Sequence, residues 1–332
     1  MLVNSRILAR PFARALLSLI FIFALGLIFN AEGTFFRWDT HRDMLRQIST
    51  YGILASGLTI VIVSGGIDLS VGSVLGLTAV VFSELTIQQG CSAFLSILAA
   101  LGLGLGCGVL AGAFIAWFRL QPFITTLAMM VFVRGVAKWI SGGQKVSTAV
   151  LQSNGNFQQV PIPRVFELLG ARFVNDNLAA VTLVFLACIF CSWILLAKSQ
   201  WGRWLYAMGG SELCAHLSGV PVKPLKLLAY GLCAAFAAIA GLCQAAQELQ
   251  GDPEAGMGYE LTAIAIVVMG GTGLSGGHGG IGLTLLGTIT IGYLEKILSI
   301  NSVSEASRLM MTGLIVLVAV LLQRRKSDQG AF

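Results

Sequence analysis

Long apolar runs alternate with short polar interruptions along most of this chain. A helix crossing a bilayer needs roughly 20 apolar residues. About ten runs approach that length, near 12–29, 48–64, 70–87, 93–118, 123–140, 178–197, 227–246, 260–273, 281–298 and 307–322. The polar stretch 198–226 between the sixth and seventh runs carries a second pattern, that of a short surface helix. Gly210 leads into it, and Ser211 is a good N-cap. Glu212 puts a negative charge in the first turn, where the helix dipole favours it. Gly219 can take the left-handed position just past the end, and Pro221 stops continuation. Leu213 and Leu217, at i and i+4 with Ala215 between them, give the helix an apolar face suited to docking on a partner.

Composition settles the class. Hydrophobic residues make up 56% of the 332 positions and charged residues only 11%, with a mean hydropathy of +0.84. A soluble domain could not cover so much apolar surface. The expectation is an all-α polytopic membrane protein, a single transmembrane domain over 1–332 with 198–226 as a loop on one side.

The net charge of +6 could suggest nucleic acid, but its placement argues otherwise. Arg6, Arg10 and Arg14 precede the first run. Lys198, Arg203, Lys223 and Lys226 lie in the central loop, Arg119 in a short loop, and Arg324, Arg325 and Lys326 after the last run. These are 11 of the 21 Lys and Arg, and one ten-span topology puts them all on one side. The positive-inside rule makes that side cytoplasmic, which predicts both termini in the cytoplasm and a multi-pass protein of a cell inner membrane. The arginines and apolar run at the N-terminus resemble a signal peptide. Without a small-residue cleavage site they read as a retained first span.

Forty glycines shape the spans. Gly104, Gly108 and Gly112 repeat at spacing four, as do Ala237, Gly241 and Ala245, forming small-residue ridges that let helices approach closely. Two glycine-rich breaks, Ser64–Ser73 and Gly270–Gly280, share the order Gly-Gly-x-x-Leu-Ser-x-Gly and suggest an internal repeat of two halves with glycine-broken spans. Broken helices near a substrate path are a transporter device. Gly65, Gly66, Asp68 and Ser70 are therefore candidates for the translocation path or its gate. Asp68 reads either as an N-cap for the following span or as a polar group on the path, and the two roles are compatible.

Other chemistry is sparse. Neither break contains a phosphate-cradling G-x-x-x-x-G-K-[ST], and no nucleophile–base pattern appears, so neither an enzyme nor a resident cofactor is expected. Cys188 and Cys191 form a CxxC inside a span, where small apolar packing is the default reading. His278 has no second ligand at metal spacing. Arg134 and Lys138 read as snorkelling to the outer interface, as do Glu295 and Lys296. Trp201, Trp204 and Tyr206 read as interfacial anchors.

Four ordered segments then resemble a known family. YGILASGLTIVIVSGGIDLSVGSV, from Tyr51 to Val74, looks like the signature of ribose-type ABC importer permeases. Gln121–Met129 with Arg134-Gly135 is similar to a second segment. Trp201–Gly210 running into Ser211–Val220 resembles the loop that docks on the ATPase, and Tyr259–Gly280 matches a fourth. The resemblance spans roughly 45–320. It implies a subunit of about ten helices that pairs with a second, identical or paralogous permease subunit. It also implies a cytoplasmic ABC ATPase and an extracytoplasmic solute-binding protein that delivers a monosaccharide. The docking helix then falls on Ser211–Gly219. Ser211 and Cys214-Ala215 stand where the family commonly has Asn and Ala-Ala, and the usual turn near Glu295-Lys296 is absent. The rival readings are an ABC permease for a nucleoside or branched-chain amino acid, and a proton-coupled secondary transporter using Asp68.

Overall fold

The computed structural model describes residues 11–151, 157–311, 313, 314 and 317. The basic residues Arg6, Arg10, Arg324, Arg325 and Lys326, and much of the expected 307–322 span, lie outside the described residues. The fold is helical. It comprises α1 (Pro11–Ile28), α2 (Trp38–Val63), α3 (Val71–Ser83, prolonged by a π-turn over Glu84–Gln88), α4 (Ala93–Trp117), α5 (Pro122–Ile140), α6 (Arg164–Gly170) and α7 (Ala180–Trp193, prolonged over Ile194–Lys198). It continues with α8 (Gln200–Gly210), α9 (Glu212–Leu217), α10 (Val222–Glu248), α11 (Tyr259–Gly270) and α12 (Ile281–Ile300). Eight of these elements are long and apolar enough to cross a membrane, and α11 is shorter. Three two-stranded ribbons accompany them: β1 (Val146–Ser147) on β6 (Gln250–Gly251), β2 (Ala149–Leu151) on β3 (Phe157–Gln159), and β4 (Arg172–Phe173) on β5 (Leu178–Ala179).

Helices α2, α3 and α10 form the centre, with most of their surface covered, whereas α1, α4 and α5 are mostly uncovered. The outer helices present Phe12, Phe94, Phe123, Phe132 and Trp139 outward, as a lipid-facing surface does. The small-residue ridges lie inside the chain. Added carbons at Gly104 and Gly108 would collide with Ala238, Ala234 and the Tyr230 carbonyl of α10, and one at Gly241 with Leu75 and Thr78 of α3. They bring backbones close where hydrophobicity alone gives helices no reason to associate.

A motif of long helix, non-helical return and short helix occurs twice. After α2 the chain turns at Gly65 and passes Tyr230 and Cys233 of α10 before α3 begins. After α10, residues 249–258 run along α3, from Ser83 past Gly76 to Gly72, before α11 begins. The two short helices therefore start partway along their neighbours. Their beginnings meet where Gly72 and Gly256 touch, a contact that leaves no room for a side chain on either. By geometry, 249–258 is thus the counterpart of the 64–70 break.

Arg134 turns inward to this return instead of reaching outward, and Lys138 pairs with the return at the surface. Arg134 Nη1 donates to the carbonyls of Pro253 (2.6 Å) and Ala255 (2.7 Å). Lys138 pairs with Glu254 at 2.9 Å and Lys145 with Asp252 at 3.0 Å. These carbonyls have no partner within a helix or strand, and the Arg134 guanidinium satisfies them. Arg134→Ala is expected to cost about 2–3 kcal/mol, the worth of hydrogen bonds to a charged group. A lowered unfolding midpoint in detergent, with Lys138→Ala changing little, would report it.

Candidate functional site

The two glycine-rich motifs of the sequence do not hold equivalent places in the fold; they meet. The meeting point is the last turn of α8. Gly277 N–H donates to the Val63 carbonyl at the end of α2 (2.9 Å), and Gly209 of α8 lies against both groups. Gly276 packs on Gly65, and Gly277 on Gly210. Gly276 and Gly277 have φ of 81° and 73°, the left-handed region where glycine costs little. Tyr206 of α8 donates to the Gly279 carbonyl at 3.0 Å, so it ties α8 to the second break. His278 bonds the Gly276 carbonyl through Nδ1 (2.8 Å), a loop contact.

One residue beyond this junction, α9 begins with the geometry its sequence called for. Ser211 Oγ accepts from the Cys214 N–H at 3.3 Å. Gly219, at φ 81°, follows the last turn, and the Val220 N–H returns to the Ala215 carbonyl at 3.0 Å. Glu212 pairs with Lys226 of α10 at 2.7 Å. Ala215 is the buried residue that seats α9, while Leu213 and Leu217 are 68% and 77% exposed. The two leucines are the exposed large apolar residues of α9.

Beside α9 opens a cleft of about 830 Å³, lined by Ser64, Gly65 and Gly66 of the first break, Glu212, Leu213 and His216 of α9, and Arg119, Lys223 and Lys226. Asp68 and Ser70 stand behind it, both buried. Asp68 Oδ1 accepts from the Ser70 N–H (2.9 Å) and the Ser70 hydroxyl (2.6 Å), which fixes the turn leading into α3, whose N-cap position is Ser70. The Cys233 thiol lies beside the Asp68 carboxylate, whose Oδ2 is buried without a hydrogen-bond partner. Of the four residues expected on the path, then, Gly65 and Gly66 reach the cleft, and Asp68 and Ser70 do not.

A family model described as the branched-chain amino acid transport system / permease component matches residues 42–320. The chain belongs to this family. Within the permease family it is 36% identical to the Ribose import permease protein RbsC of Escherichia coli (strain K12), over 94% of both chains. It is 37% identical to the Ribose import permease protein RbsC of Bacillus subtilis (strain 168), over 86% of this chain and 84% of that one. It is 33% identical to the Fructose import permease protein FruG of Bifidobacterium longum (strain NCC 2705), over 93% and 90%. No solved structure gives a significant match. The resemblance to monosaccharide-type ABC importer permeases seen in the four motifs is therefore upheld.

Sequence reasoning placed α9 in this permease but missed the residues that hold it. Gly209, Gly276, Gly277, Tyr206 and Lys226 contribute through contacts with distant segments. The adjacent Gly209-Gly210 pair in the last turn of an otherwise good helix was the available signal. A glycine inside a helical pattern costs about 1 kcal/mol relative to alanine, so it calls for a packing reason. The CxxC pair is split, Cys188 buried and Cys191 exposed, and no metal-binding group occurs among the described residues.

Proposed function

We propose that this permease is the membrane-spanning subunit of an ATP-driven importer for a monosaccharide, working by alternating access. The observation that carries the reading is α9: capped at both ends, seated by Ala215 and Lys226, and presenting Leu213 and Leu217 outward. In this reading α9 lies in a cytoplasmic loop spanning 198–226 and receives the stroke of a separate ABC ATPase. Gly210, Ser211, Glu212, Leu213, Ala215, Leu217 and Gly219 make up the coupling element. An extracytoplasmic binding protein delivers the solute, and a second permease subunit, identical or paralogous, completes the pathway. The sugar assignment draws on the relatives, whose names specify ribose and fructose import.

The broken helices supply the moving part. Closure of the motor pushes α9 and the last turn of α8, which bears on both glycine breaks at once. Gly65 and Gly66 form the inner lip of the path, and Asp68 and Ser70 hold α3 in register behind it. The position of Asp68 outside the cleft, with one oxygen committed to Ser70, disfavours a proton-coupling role on that path.

Proteoliposomes containing the permease, its ATPase and its binding protein test the reading. ATP is expected to drive uptake of labelled D-ribose or D-fructose without a proton gradient, and Asp68→Asn is expected to retain ATP-driven uptake. Uptake that follows an imposed proton gradient and vanishes in Asp68→Asn would overturn the proposal in favour of secondary transport.

A further inference from the structure

One face of the molecule differs from the rest. The outer helices show Phe, Leu and Trp outward, and Leu249, Met257 and Leu261 are exposed around the second return, but α2 beyond Trp38 and α12 present no exposed large apolar side chain. In its place runs a strip of polar groups: Gln47 and Tyr51 on α2, Gln244 and Glu248 on α10, Tyr259 on α11 and Glu295 on α12. Gln47 and Glu248 are exposed and the other four half-buried. Tyr51 and Tyr259 face each other with ring centroids 4.3 Å apart and planes inclined by 35°. Gln244 donates to Glu248 and reaches the Tyr259 hydroxyl. Tyr51 sits halfway along α2, and Tyr259 is the first residue of the short helix α11, so the pair stands where the second return ends. Polar and ionisable side chains on the surface of membrane helices are costly against lipid and belong on a water-filled path.

We propose that this strip is the permease's solute-contacting surface, a weak binding site for a neutral polyhydroxylated ring, with Tyr51 and Tyr259 as its aromatic platform. It rests on the importer reading and supplies the path residues that the cleft at α9 does not. The chemistry selects the solute class. Amides both donate to and accept from sugar hydroxyls, and carboxylates accept from them. Glu248 would repel the carboxylate of an amino acid, while Glu295 is balanced by Arg308. The aromatic faces offer apolar contact to the C–H face of a sugar ring. In this proposal the second permease subunit covers the strip's exposed residues, Gln47 and Glu248. An open strip with few anchors holds solute weakly, as a conduit must if delivery and release are both to be fast.

Two measurements in the reconstituted importer, with D-ribose as probe, decide the matter. Tyr51→Ala and Gln244→Ala are each expected to lower the number of ribose molecules moved per ATP hydrolysed by at least tenfold. A purely structural defect lowers transport and hydrolysis together and leaves that ratio unchanged, which would overturn the proposal. Separately, Gln47→Cys is expected to react with a charged thiosulfonate added from outside, read at residue 47 by peptide mass spectrometry. Phe132→Cys on the lipid face is expected to stay unmodified. This test uses exposed positions, so it stands even if the alanine variants fail to assemble, and an unreactive Gln47→Cys refutes the water-filled strip. If wild type moves no ribose with ATP while Gln47→Cys still reacts, the importer reading fails for this sugar and the strip survives.

Discussion

A Leu213→Asp, Leu217→Asp double variant is expected to insert and fold like wild type, yet to lose its ATPase during purification and to show at least a hundredfold less ATP-driven uptake. The two leucines are 68% and 77% exposed, so their replacement removes little that the permease itself uses. Docking on a partner would bury most of both. At about 2 kcal/mol for each side chain taken out of water, the pair supplies about 4 kcal/mol, or about a thousandfold in affinity. Two carboxylates in an apolar socket add a desolvation cost to that loss. Ser211, Ala215 and Gly219 remain, so α9 keeps its caps and its seat. Co-purification of the ATPase from the native host, compared between variant and wild type, is the direct readout. Retention of the ATPase by the variant would mean that α9 is not the docking surface.

The legible parts of this protein are those set by local chemistry. Spans reveal themselves because a bilayer imposes a length and forbids most charges. The ends of α9 reveal themselves because a cap is a contact between residues three or four apart, as between Ser211 and Cys214. Long-range geometry is not written that way. Arg134 at the end of an apolar run looks like a snorkelling cation, and its use as donor to Pro253 and Ala255 depends on residues more than a hundred positions away. Sequence similarity paired the 64–73 motif with 270–280, while the fold pairs the 64–70 break with 249–258. The first likeness reflects a shared need for close backbone approach at one junction. The second is a likeness of path, which unlike residues can follow. Tyr51 and Tyr259 were both inside quoted motifs, but their stacking becomes visible only when α2 and α11 lie side by side.

The junction itself yields the second large expectation, a contrast between neighbouring glycines. Gly209→Ala is expected to abolish uptake and sharply reduce the yield of folded protein, whereas Gly210→Ala leaves both intact. A methyl group at 209 would be driven against the Val63 carbonyl and the Gly277 N–H, which bond each other at 2.9 Å. Neither is a flexible side chain that could swing aside. Relief requires parting α8 from the end of α2 or from the second break, at an overpacking cost of about 1–3 kcal/mol plus the hydrogen bond. At Gly210 an added carbon meets nothing within 4 Å. Membrane yield, unfolding midpoint in detergent and ATP-driven uptake of the two variants give the comparison, and equal behaviour would refute the junction. The asymmetry follows from what the site transmits. A push on α9 reaches the broken helices through backbone pressed on backbone, and a side chain at Gly209 would hold those surfaces apart.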